Sequence, residues 1–318
     1  MDRRLILDLI DPARQRGLEI GALDRPVVSR AMGDIGYVDR ASRAELLVWY
    51  ADPAHPIDRA ALVEVDHLWG AETLLEAVGG QRAFDYVIAS HVIEHVPDMF
   101  GWLMEIAAVL RDGGLGLFVV PDKRFTFDWP RPVSTRGEFV DAHLRGLRRP
   151  DIRQIFNHTY ETRPEGAPER DDDAWSEYAR GCVALCRQAD AEKTYIDAHC
   201  WVFTPRSMLE ALDLLSRLDL APFEVANLTP TPPGDAEFLL ALRRLPDGLD
   251  AATRRARFQA SAAALDLPEE QSTAGAPEAV AAAQVALARA AAIENSTIWR
   301  ATAPLRHVIG MLRGRQLR

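Results

Sequence analysis

Glu19-Ile-Gly21 closes one short apolar run, and twenty residues beyond Glu19 a second run closes on Asp39. A glycine directly after a strand lets the backbone approach a ligand, and a carboxylate about twenty positions further on can accept both hydroxyls of a ribose. This is the spacing of a nucleoside-cofactor site, although Ala22 and Leu23 stand where such turns often carry further glycines. A denser constellation follows the run Phe84 to Ser90, which leads into His91-Val-Ile-Glu94-His95-Val-Pro97-Asp98. His91-x-x-Glu94-His95 has the ligand spacing of inverted zinc peptidases, in which two histidines hold the metal and the glutamate activates water. That chemistry needs both histidines on one face of a helix. Here His91 follows a strand directly and Pro97-Asp98 reads as a helix start, so no metal is expected, and bracing of the turn by Glu94 and His95 is the structural alternative.

Further chemistry-bearing residues come from later segments. Asp122, Lys123 and Arg124 follow another apolar run, where two cations can hold an anionic sugar or phosphate or simply pair with carboxylates. His158 and Tyr160, then Asp197, His199 and Trp201, supply imidazoles, a carboxylate and aromatic rings for a sugar-binding wall. Histidine titrates near neutrality and suits the removal of a hydroxyl proton. His199 is the first candidate for that role, with His95 and His158 behind it.

The elements that must position these residues alternate. Apolar runs at 17–21, 35–39, 61–66, 84–90 and 115–120 are separated by segments with helical spacing at 41–50, 71–79 and 98–111. Alternation of this kind predicts a mostly parallel sheet whose ligands sit beyond the carboxyl ends of the strands. Prolines and the acidic run Glu169 to Asp173 break the pattern over 129–194, read as an inserted helical cap. A helix opening at Thr204-Pro205 and running to about Leu218 is expected next, then strands 223–228 and 237–244 as an antiparallel hairpin. The chain thus divides into a core (1–128), a cap (129–194), a return to the core (195–245) and an Ala-rich, basic, helical appendage (246–318).

The block FDYVIASHVIEHVPD, followed by LRDGG and preceded by LEIG and YVD, resembles class I S-adenosylmethionine (SAM) dependent methyltransferases. More closely, LEIGALDRPVV, VIASHVIEHVPD and VPDKRFTFD resemble the methyltransferases that accompany glycosyltransferases in bacterial surface-polysaccharide gene clusters. The resemblance covers about residues 15–245. It implies a Rossmann-like α/β fold, SAM as cofactor, and O-methylation of a sugar in a surface-glycan precursor. Position by position it implies Glu19 and Gly21 at the methionine end, Asp39 on the ribose, Asp66 near the adenine amino group, and Ser90 with His91 beside the sulfonium. Two other functions stay open on residue grounds: a zinc hydrolase built on His91, Glu94 and His95, and a non-catalytic protein that binds glycan or partners.

Charge narrows the partners. Against 37 Lys+Arg stand 47 Asp+Glu, a net −10 that disfavours binding along a polyphosphate backbone. The last 19 residues, 300–318, nevertheless hold five arginines and no acid. Such a tail suits peripheral contact with an anionic inner membrane face or with glycosyltransferases. The three cysteines lack paired zinc spacings and leave one over in any disulfide scheme, as expected of a cytoplasmic protein. No stretch of 18 uncharged apolar residues occurs.

Overall fold

A computed structural model describes residues 2–50, 57–70, 72–80, 82–162 and 173–268. The Ala-rich segment 277–295 and the basic tail 296–318 lie outside the described residues. The strands are β1 (Arg16–Ile20), β2 (Asp34–Asp39), β3 (His67–Leu68), β4 (Phe84–Ser90), β5 (Leu110–Pro121), β6 (Phe223–Thr229) and β7 (Glu237–Arg244). The helices are α1 (Arg4–Leu7), α2 (Arg43–Trp49), α3 (Leu74–Ala77), α4 (Met99–Val109), α5 (Arg136–Arg145), α6 (Ile152–Phe156), α7 (Asp173–Glu192), α8 (Pro205–Arg217) and α9 (Ala251–Ala263). They build one mixed sheet of seven strands in the order β3-β2-β1-β4-β5-β7-β6. The first five strands are parallel, and β7 runs antiparallel between β5 and β6. This is the Rossmann-like sheet of class I methyltransferases, ending in the expected hairpin.

Alternation along the strands gives each face its own core. Leu18, Ile20, Val87, Ala89, Phe118, Val120, Leu240 and Leu242 point to one side and pack beneath α4, α5, α8 and α9. Ile35, Tyr37, Tyr86, Ile88, Leu117, Val119, Leu239 and Ala241 point to the other, where Ile6 of α1 and loop residues Val27 and Val28 cover them. Among the described residues the two faces are therefore clad differently: five helices on one, α3 joining through Leu74, and a single turn of helix with a loop on the other. That loop, between β1 and β2, contains no helix. It is held instead by the Glu19 carboxylate, which accepts the amides of Val27 (2.8 Å) and Val28 (3.2 Å), and by the Tyr37 hydroxyl, which donates to the Val28 carbonyl.

Two element boundaries differ from expectation. The run 61–66 is not a strand; β3 is confined to His67 and Leu68. The Tyr37 amide, which would otherwise enter the ladder, donates to the Asp66 carboxylate at 2.7 Å, while the Asp66 amide donates to the Tyr37 carbonyl at 2.9 Å, so strand pairing starts at Asp66 rather than at 61. Helix α4 stops at Val109, and β5 starts at Leu110 rather than Leu115, because Leu110 already pairs with Phe84. The segment 129–194 does carry helices α5, α6 and α7, and a π turn over Asn157–Glu161 extends α6.

Candidate active site: a cofactor cavity backed by a buried histidine cluster

A cavity of about 660 Å³ opens beyond the carboxyl ends of β1, β2 and β4. Gly21 and Asp39 line it, joined by Arg40, Trp69, Val92, His95 and Trp102, while His143 and Tyr195 close it from above. Gly21 has a positive φ of 68°, and a β-carbon there would come within 3.2 Å of the Val92 side chain. Glycine is therefore required both by conformation and by the close approach of the two loops. Asp39 ends β2, its carboxylate accepting the amide of Arg40 at 2.7 Å. Burial lifts its pKa to about 6.

Behind the cavity wall lies a largely buried polar cluster drawn from five segments. The loop after β4 supplies His91, Glu94 and His95. Asp98 ends that loop as the cap of α4, accepting the Gly101 amide. His91 has a positive φ of 53°, uncommon for a residue with a side chain and concentrated at functional sites. It pairs with Glu237, the first residue of β7, and lies 3.5 Å from Glu94. His95 Nδ1 donates to Asp197 at 3.0 Å. His199 Nδ1 meets Asp128, which also holds Arg131. His158 Nδ1 accepts the backbone amide of His199. The His95 and His199 rings meet edge to face with centroids 4.6 Å apart, and the His158 and His199 centroids are 5.6 Å apart. The three histidines taken from separate stretches of sequence thus converge.

Burial and charge oppose one another throughout the cluster. Burial pulls the His91 imidazole down, but Glu237 and Glu94 outweigh it and raise its pKa to about 10. Burial likewise opposes protonation of His95, and Asp197 reverses the balance and raises it. Asp197, lifted by burial, is brought down to about 2 by His95. Glu94 is also held below the ordinary carboxylate range, the nearby histidines overcoming its burial. His158 goes the other way: burial, then the His199 and Arg131 charges, push it to about 3, so it stays neutral and is a poor proton acceptor.

The remaining expected site residues are placed as follows. Asp66 does not line the cavity; Arg30 and the Tyr37 amide occupy its carboxylate. Trp69 and Gly70, just past the true end of β3, stand there instead. Glu19 holds the β1–β2 loop rather than facing the cavity. Ser90 ends β4 outside the cavity lining. Asp122 is fully buried, bonded to Arg124 and to the Thr231 hydroxyl, and Lys123 donates to the Trp129 carbonyl. Tyr160 stacks on Phe156 inside the cap. Trp201 is a core residue: its indole donates to the Val96 carbonyl at 2.6 Å and its ring packs on Phe139. The zinc-peptidase arrangement is absent, since residues 91–97 form turns rather than a helix and His91 is committed to Glu237. Missed by the sequence were Trp69, Trp102, Tyr195 and Arg40; the Arg40 guanidinium lies 4.3 Å over the Tyr195 ring. Only the position of Trp69 after a strand end signalled any of them.

The family model described as a methyltransferase domain matches residues 3–214. The chain belongs to this family. It is a SAM-dependent methyltransferase, and the cavity fits SAM. Its volume suits a small-molecule site, Gly21 would let a ligand approach the β1 turn, and Asp39 would offer a carboxylate with spare acceptor capacity to a ribose. When bound, SAM supplies an electrophilic methyl on a sulfonium. Among solved structures, the methyltransferase is similar to the CurJ carbon methyltransferase (12% identity, 76% of this chain, 51% of that one, TM-score 0.35). It is also similar to SAM-dependent methyltransferases from Methanosarcina mazei (15% identity, 76% and 98% covered, TM-score 0.38) and Mesorhizobium loti (14%, 76% and 96%, TM-score 0.37). The chain spans about half the length of the CurJ protein. No curated protein matches the sequence. The family match and the sheet order, rather than these distant likenesses, carry the assignment.

Proposed function

We propose that this methyltransferase transfers the SAM methyl to a hydroxyl oxygen of a sugar in a bacterial surface-glycan precursor. The observation that carries the reading is the position of His95. It lines the cavity, and its ring meets that of His199, itself paired with Asp128, edge to face at 4.6 Å. Methyl transfer to oxygen is an in-line displacement. The acceptor lone pair bonds to the methyl carbon as the carbon–sulfur bond breaks, the bonding pair stays on sulfur, and the hydroxyl proton must leave. A wall of imidazoles held by carboxylates is where that proton can be drawn off. The sequence motifs shared with polysaccharide-locus methyltransferases support the glycan as acceptor.

Incubation with methyl-labelled SAM and lipid-linked glycan extracts tests this. Label recovered in an O-methylated sugar after hydrolysis supports the proposal, and label found only in protein, or in carbon- or nitrogen-methylated products, refutes it. We extend the proposal to the membrane face: the five arginines of residues 300–318 each contribute roughly 1 kcal/mol near an anionic leaflet. Among the described residues no helix is long and apolar enough to cross a membrane. Removal of residues 296–318 should abolish salt-sensitive sedimentation with anionic vesicles while leaving SAM binding intact; equal sedimentation of both forms refutes the membrane role.

A further inference from the structure

Glu94, His95 and His199 each present a buried ligand atom, and the three atoms lie within 4.8 Å of one another. Both Glu94 oxygens and His95 Nε2 are buried without a hydrogen-bond partner among the described residues. Buried polar atoms are nearly always hydrogen-bonded, and here the nearest groups, His91 Nδ1 at 3.5 Å and His95 Nε2 at 3.7 Å from Glu94 Oε1, stand too far for a good bond, which requires an explanation. The outer contacts supply it. His95 and His199 both use Nδ1 on a carboxylate, Asp197 and Asp128 respectively, which leaves Nε2 of each ring as the available ligand atom. A carboxylate behind each imidazole is the usual support of a metal-bound histidine.

Charge points the same way. With the His91–Glu237 pair compensating itself, the buried carboxylates Glu94 and Asp128 and the partly buried Asp197 face, among the described residues, one fixed buried cation, Arg131. A dication bound through the imidazole nitrogens supplies countercharge there in place of protons. We propose that Glu94, His95 and His199 bind a divalent first-row transition ion of the Zn²⁺ class. Two nitrogens and one oxygen suit such an ion and leave coordination positions open. The ligand atoms must draw inward on binding, since neighbouring ligands of a tetrahedral site lie roughly 3.4 Å apart at ordinary bond lengths. The ligand set is not the His91-x-x-Glu94-His95 arrangement, because His199 arrives from a segment more than a hundred residues later.

An open position would take the acceptor hydroxyl and make it more acidic, and its proton would then pass to solvent water, because with the ion bound both ring nitrogens of His95 and His199 are occupied. This last step rests on the reading of the adjacent cavity as the SAM and acceptor site. The ion itself rests only on the cluster.

Full-length protein is stripped with chelator, desalted and titrated with Co²⁺, whose visible absorption reports coordination, and with Zn²⁺ followed by elemental analysis. The site predicts one ion per chain, and uptake weakened at least a hundredfold in Glu94→Gln and His199→Gln. Asp197→Asn should weaken it ten- to a hundredfold, and His91→Gln should leave it within a few-fold. Circular dichroism and SAM titration on the same samples confirm folding. Less than a tenth of an equivalent bound by the folded parent overturns the proposal. So does parent-like uptake by Glu94→Gln and His199→Gln, or a loss in His91→Gln as large as theirs. Metal uptake without SAM binding leaves the ion site standing and refutes the cofactor placement; SAM binding without metal uptake does the reverse.

Discussion

His95 and Asp197, 102 residues apart in the chain, meet at 3.0 Å and join the loop after β4 to the segment that follows the cap. The backbone strengthens the same junction, since the Glu94 carbonyl accepts the amides of Cys200 (2.7 Å) and Trp201 (3.2 Å). The loop that lines the cavity and the segment that carries His199 are thereby one unit. Replacement of Asp197 by Asn keeps its shape but removes the charge that orients His95. Methyl transfer to a competent acceptor should fall roughly ten- to a hundredfold, with SAM affinity within about twofold of the parent. His199→Ala should behave alike, lowering turnover far more than SAM affinity. Turnover at the parental level in both variants would remove the cluster from the reaction.

Much of this arrangement was legible in the residues. Gly21 and Asp39 were placed from strand ends and spacing alone, and both line the cavity. His95, His158 and His199 were chosen as candidates from three segments that the fold brings together. What failed were residues whose fate depends on tertiary partners. Lys123, Asp122 and Trp201 have the chemistry of a sugar site, yet their polar atoms are spent on Trp129, Arg124 and Val96. Asp66 was misassigned because its side chain takes the Tyr37 amide where the pairing of β2 with β3 starts, so that β3 ends two residues beyond the run 61–66. A carboxylate competing with a backbone ladder leaves no periodic signal.

Asp39 should make SAM binding pH-dependent. Its pKa is raised to about 6, so the carboxylate, which on our proposal takes the ribose hydroxyls, is protonated below that value. Affinity should therefore be constant at neutral pH and fall by up to roughly tenfold per unit once the pH drops below the pKa. Asp39→Asn should bind SAM ten- to a hundredfold more weakly at pH 7.5, the loss of a charged acceptor costing roughly 1.5 to 3 kcal/mol, and should show little further change at pH 5. Calorimetric titration at several pH values checks this, and an Asp39→Asn protein that matches its parent at every pH contradicts the placement of the ribose.

Glu19 predicts a second pH effect, on stability. Burial raises its pKa from the ordinary 4.5 to about 7, even though the amides of Val27 and Val28 favour the charged form. The folded state thus binds a proton more tightly than the unfolded state. Its contribution is complete below the unfolded value and is lost as pH rises through the folded one, a change of up to about 3 kcal/mol. Urea denaturation at pH 4.5, 6 and 8 should show that decline in the parent, and Glu19→Gln should flatten it. Identical profiles would mean that the carboxylate is ionised throughout and the loop is held differently.

Trp201 separates a packing role from a substrate role. Its ring lies 4.6 Å from Phe139, between centroids, and its indole donates to Val96, a residue of the cavity lining. Trp201→Phe keeps an aromatic ring but leaves a small void and an unmatched buried carbonyl, which should cost roughly 1 to 3 kcal/mol. The melting temperature should fall by several degrees, while SAM affinity and the KM for a sugar acceptor stay near the parental values. A residue lining the acceptor site would do the opposite, raising KM with little change in melting. Thermal unfolding measured beside steady-state kinetics on the same preparation decides between the two, and an unchanged melting curve with a raised KM would return Trp201 to the substrate wall.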